Sequence, residues 1–88
     1  MKINGDFVLK NISNEYILVP VANNTLNFNC MITLNEISAF IWKCLENEDT
    51  KEEILSKILL EYKVDKDIAQ NDLDEFLDRL KGENLIEY

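Results

Sequence analysis

At about residue 33 the hydrophobic pattern of this chain changes its period from two to 3.6. Before that point "TLNFNCMIT" alternates: Leu26, Phe28, Cys30 and Ile32 fall on one side, and Asn27, Asn29, Met31 and Thr33 on the other. A period of two marks a β-strand with one buried face. Beyond it, Ile37, Phe40, Ile41, Cys44 and Leu45 form a stripe at helical spacing. A chain with one such change places its strands first and its helices after them. The expected class is therefore α+β, with a helical bundle packed on a small sheet.

The β-rich part divides at its turn residues. "FVLKNI" (7–12) and "EYILVPV" (15–21) are separated by Ser13 and Asn14, a turn-forming pair. "ANN" (22–24) supplies a second turn, so strands near 7–12, 16–21 and 25–33 form an antiparallel meander. The second strand is central and apolar on both sides. The outer two are edges. Lys10 guards the first, whereas the third has no Lys, Pro or acidic residue, the usual protections of an exposed edge.

Helices are expected near 34–46, 51–62 and 66–81. "TLNE" (33–36) and "TKEE" (50–53) both fit a capping box, with Thr33 and Thr50 as caps. Ile54, Leu55, Ile58, Leu59 and Tyr62 form the second stripe, and Ala69, Leu73, Phe76, Leu77 and Leu80 the third. Asp65 is placed to cap the third helix, Asp67 to favour its first turn and Gly82 to end it. Three strands followed by three helices describe a winged helix-turn-helix-like domain spanning residues 1–88.

Composition restricts the function. At 88 residues, folding buries roughly 60–65% of the unfolded surface, enough for one modest core. The net charge of −8 opposes nucleic acid and anionic membranes, because phosphate neutralisation supplies most nucleic-acid affinity. Histidine is absent, which removes the commonest general base and metal ligand. Two cysteines without histidine do not complete a zinc site, and no Gly-rich loop is present to cradle phosphate. No catalytic residue, metal site or cofactor is expected. No apolar run approaches the roughly 20 residues of a membrane span, and no signal peptide opens the chain. The expected compartment is the cytoplasm, with Cys30 and Cys44 as reduced thiols.

"YILVP", "ITLNEISAFIWKCLEN", "TKEEILSKILLEY" and "DIAQNDLDEFLDRLKGENLI", in this order and at these spacings, resemble the PqqD family over residues 7–86. The most telling parts are "TLNE" with Ile41-Trp42, and Asn71-Asp72 followed by Leu73, Phe76, Leu77 and Leu80. The family is also known as the precursor-peptide recognition element of ribosomally made, post-translationally modified peptides. The resemblance implies a domain without activity of its own. It binds the leader segment of a precursor peptide and delivers it to a modifying enzyme, often a radical S-adenosylmethionine enzyme.

In such domains the leader adds a strand beside the third strand and lies in a groove walled by the third helix. Carried onto this sequence, the strand side is Asn27, Phe28, Asn29, Cys30, Met31 and Ile32. The helix side is Asp72, Glu75, Phe76 and Arg79. Strand addition explains why an edge would go unguarded. Four or five main-chain hydrogen bonds at about 0.5–1.5 kcal/mol each, with one or two buried anchors, suit a dissociation constant on the order of micromolar or tighter. Two other readings stand beside this one: a winged-helix DNA-binding regulator, opposed by the acidity of the third helix, and an interaction domain that forms a homodimer through its bare edge strand.

Overall fold

The computed structural model describes residues 1–20 and 32–87. β1 (Lys2–Ile3) is followed by β2 (Phe7–Ile12), β3 (Glu15–Pro20) and β4 (Ile32–Leu34). Three helices follow: α1 (Glu36–Glu46), α2 (Lys51–Glu61) and α3 (Lys66–Gly82). β5 (Ile86–Glu87) comes last. β2, β3 and β4 form an antiparallel sheet with β3 in the middle, and the helical bundle packs on it in a winged helix-turn-helix-like arrangement.

The β2–β3 hairpin turns on two residues, Ser13 and Asn14, with φ of 51° and 66°. Positive φ at both positions is the pattern of a type I′ turn, whose twist matches that of the strands it joins. The register runs from Phe7 opposite Pro20 to Ile12 opposite Glu15. Tyr16, Ile17 and Leu18 then pair with Leu34, Thr33 and Ile32. Leu18, Ile32 and Leu34 are buried, and Phe7, Leu9 and Tyr16 pack against the same core. The expected third strand is described only from Ile32, and it runs on to Leu34.

Thr33 therefore does not cap α1, as the "TLNE" pattern suggested. It is a strand residue opposite Ile17. The cap is Asn35, whose Oδ1 accepts from the Ser38 N–H at 2.8 Å. Thr50 does form the expected capping box on α2: its Oγ accepts from the Glu53 N–H, and Glu53 accepts from the Thr50 N–H at 2.8 Å. Asp65 occupies the cap position of α3 without a side-chain hydrogen bond to the helix.

Gly82 does not end α3 by a left-handed turn; it is the last helical residue. Asn84 takes the left-handed conformation, with φ of 60°. The Leu85 N–H donates to the Leu80 carbonyl at 2.8 Å, and the Asn84 N–H to Lys81 at 3.1 Å. This is a Schellman ending, with both leucines buried in the core. It turns the chain back so that β5 pairs with β1, Lys2 opposite Glu87 and Ile3 opposite Ile86. This second small sheet was not expected from the sequence.

The core is continuous from sheet to helices. Ile41, Trp42 and Leu45 of α1, Ile54 and Ile58 of α2, and Leu73, Leu77 and Leu80 of α3 are all buried. The single Trp belongs to this core, its ring edge-on to Phe7 with centroids 5.6 Å apart. Cys44 is buried too, and burial pushes its thiol pKa up, with the Asp49 carboxylate adding to the effect. It is a small apolar filler rather than a nucleophile.

Candidate functional site

The third helix has two flanks with different neighbours. On one, Asp74 is ion-paired to Lys51 of α2 and accepts from Gln70 at 3.1 Å. The Lys51 ammonium holds the Asp74 carboxyl below its ordinary value. This flank is committed to the helical bundle. On the other, Asp72, Glu75, Phe76 and Arg79 follow one another at spacings of three, one and three, which aligns them along one side of the helix.

These four residues face the start of α1. Together with Asn35 and Ser38 they line a cleft of about 220 Å³. The cleft is open and mixed in chemistry. Phe76, only 6% exposed, is anchored in the core and supplies an apolar base. Asp72, Glu75 and Arg79 are exposed around it, and Glu75 accepts a long hydrogen bond of 3.4 Å from Asn71. Two carboxylates and one guanidinium leave the rim with a net negative charge.

The position of this cleft follows from the chain path. β4 ends at Leu34 and the next residue, Asn35, is both the cap of α1 and part of the cleft wall. The cleft therefore begins where the third strand of the sheet ends. β4 hydrogen-bonds only to β3 among the described residues, so its second edge has no partner strand among them.

Of the residues expected on the strand side, Asn27, Phe28, Asn29, Cys30 and Met31 lie outside the described residues. Ile32 is described, and its side chain is 8% exposed within the core. It can offer a ligand its backbone, not its side chain. All four helix-side residues, Asp72, Glu75, Phe76 and Arg79, come together in the one cleft. Sequence reasoning missed Asn35 and Ser38. The signal was there in "NEIS", which has a capping residue three before a serine, but the overlapping "TLNE" pattern hid it.

Among the described residues, no three His, Cys, Asp or Glu side chains converge as a metal site. No helix among them is long and apolar enough to cross a membrane.

The comparisons with known proteins agree with this fold. The family described as coenzyme PQQ synthesis protein D (PqqD) matches residues 15–86. The solved structure of TbiB1 in complex with the TbiA(beta) leader peptide is similar to this chain at 32% identity, with a TM-score of 0.74. The similarity covers 99% of this chain and 95% of that one. A comparison with curated proteins gives no match. With the family match spanning most of its length and a structural relative alike from end to end, this chain belongs to the PqqD family.

Proposed function

We propose that this chain is a peptide-binding domain without chemistry of its own. It takes the leader segment of a ribosomally made precursor peptide and presents it to a modifying enzyme, such as a radical S-adenosylmethionine enzyme, in the cytoplasm. The leader adds as a strand along β4 and continues into the cleft between α3 and the start of α1. The observation that carries this reading is the adjacency of two features: a strand, β4, with no partner on its second edge among the described residues, and a cleft lined by Asp72, Glu75, Phe76 and Arg79 that includes Asn35, the residue next to the end of β4. The related TbiB1 was solved with a leader peptide bound, which supports the same use here.

Strand addition draws affinity from main-chain hydrogen bonds and specificity from side-chain pockets. In this domain the backbone of Ile32 and its neighbours supplies the first. Residues 27–31 enter the proposal on their sequence alone. The cleft supplies the second: Phe76 accepts an apolar side chain, Asp72 and Glu75 favour Lys or Arg, and Arg79 pairs with a carboxylate. The same acidic flank, on a chain of charge −8, opposes entry of α3 into a DNA groove.

The test is a titration of isotope-labelled domain with synthetic leader peptides from the nearest short open reading frames, followed by NMR. Amide shifts should concentrate at residues 27–34 and at Asp72, Glu75, Phe76 and Arg79. Reversal of Arg79 to Glu should weaken binding several-fold. Absence of shifts at millimolar peptide, with the enzyme added, would sink the recognition reading. Self-association through β4, read by size exclusion across a concentration series, would then replace it.

A further inference from the structure

The sheet has a second face that the leader-binding site does not use. Register places Val8 opposite Val19, Lys10 opposite Ile17, and Ile12 opposite Glu15 on the β2–β3 hairpin. Thr33 lies opposite Ile17 on the far side of β3. These side chains alternate with Leu9, Leu18 and Ile32, which pack into the core, so they point the other way. Val8 is 45% exposed and Ile12 52% exposed, while Ile17 and Val19 are half-buried.

The outward face of a one-sided antiparallel sheet is normally polar. Here it presents Val8, Ile12, Ile17 and Val19, with Lys10 among them and Glu15 at the hairpin tip. Its formal charge is zero in a chain that carries −8, so the acidic residues are concentrated elsewhere. A contiguous apolar area rimmed by polar groups marks an interaction surface.

Size and charge decide the occupant. Four apolar side chains fall well short of the roughly 800 Å² per partner that a stable interface buries, and two copies at −8 each repel one another. A homodimer on this face is therefore disfavoured. Nucleic acid would meet a single Lys. The surface fits a transient contact with a protein whose patch is apolar, with a carboxylate set to meet Lys10 and basic residues around it to meet the acidic remainder of this chain.

We propose that the outer face of β2 and β3 docks the peptide-modifying enzyme while β4 and the α3 cleft hold the leader. The inference rests on the leader-binding reading for the identity of that enzyme, but not for the existence of the contact. Leader and enzyme would occupy different surfaces of the same sheet, its open edge and its outer face, and so bind together.

The experiment uses the full chain, the synthetic leader found in that titration and a purified modifying enzyme encoded among the neighbouring genes. The double variant Val8→Glu/Ile12→Glu should bind the leader within about twofold of wild type. Its affinity for the enzyme, measured by biolayer interferometry, should fall at least about tenfold, and modification at limiting domain concentration should fall with it. Lys10→Glu, an exposed charge reversal that leaves the apolar packing untouched, should lose enzyme affinity several-fold, and Lys10→Arg should retain it. If the double variant fails to fold, the Lys10 pair decides. Unchanged enzyme affinity in variants that still bind the leader overturns the proposal, as does a wild-type domain that binds no enzyme with the leader in place. Failure of the recognition reading looks different: the wild type would then bind no leader, whatever the enzyme does.

Discussion

Asn35 joins three parts of the molecule within a single residue. Its backbone leaves β4, its side chain receives the first turn of α1, and its outer side helps line the cleft. Replacing an N-cap Asn by Ala costs about 1 kcal/mol. Asn35→Ala should therefore lower unfolding stability by about that amount in urea titrations, and weaken leader binding as the cleft wall loosens. Thr33→Ala should cost less, because the Thr33 side chain is exposed on the sheet and bonds to no helix. Equal losses in the two variants would contradict the observed cap. Why the cap falls at Asn35 is a question of competition. "TLNE" satisfies the local pattern for a helix start at Thr33, but Leu34 can be buried opposite Tyr16 only if the strand continues through it. Burial of a Leu is worth about 1.5–3 kcal/mol and outweighs a cap in the wrong place. Thr50 has no such rival, so its capping box is legible directly.

At the scale of elements, the three helices and the hairpin could be read from the sequence because each carries its own period or turn signal. The stripe of α3, from Ala69 to Leu80, is buried as the spacing of its apolar residues requires. The pair β1–β5 could not be read: two residues are too few to show a period, and their partners are 83 or more positions apart. The helix-side residues Asp72, Glu75, Phe76 and Arg79 come from the family resemblance; their spacing shows only that they share a flank, and the structure lines one cleft with them. Which flank faces α2 was not legible, because it depends on how α2 and α3 pack. Lys51 marks it by pairing with Asp74. A carboxyl whose folded-state pKa is depressed contributes stability above its ordinary pKa, about 3.9, and loses it as pH falls through the lower folded value. Wild type should exceed Asp74→Asn in stability at pH 7, and the gap should close as pH falls through the depressed folded value. Both groups are partly exposed, so the difference should also shrink in 1 M salt. Chemical unfolding across this pH and salt range checks both, and a gap that does not narrow with falling pH would exclude the ion pair as its source.

For the whole molecule, the sheet is a divider with three distinct sides. Its inner face holds the core, its β4 edge pairs with no further strand among the described residues and ends next to Asn35 of the α3 cleft, and its outer face carries the apolar patch around Lys10. A small domain can therefore serve two partners without a second fold, since neither has to displace the other or disturb the packing beneath. The pairing of Lys2 with Glu87 has a consequence of another kind. Antiparallel partners lie about 5 Å apart, so the first and last strands bring the two ends of the described chain side by side. A loop of a few Gly and Ser residues would close the chain into a ring, and the Ser13–Asn14 turn offers an exposed place to reopen it. Such a circular permutant should fold, keep the α3 cleft and bind the leader within a few-fold of the parent. It would make β3 the first element and β2 the last, shifting the order of the elements along the chain without moving any of them.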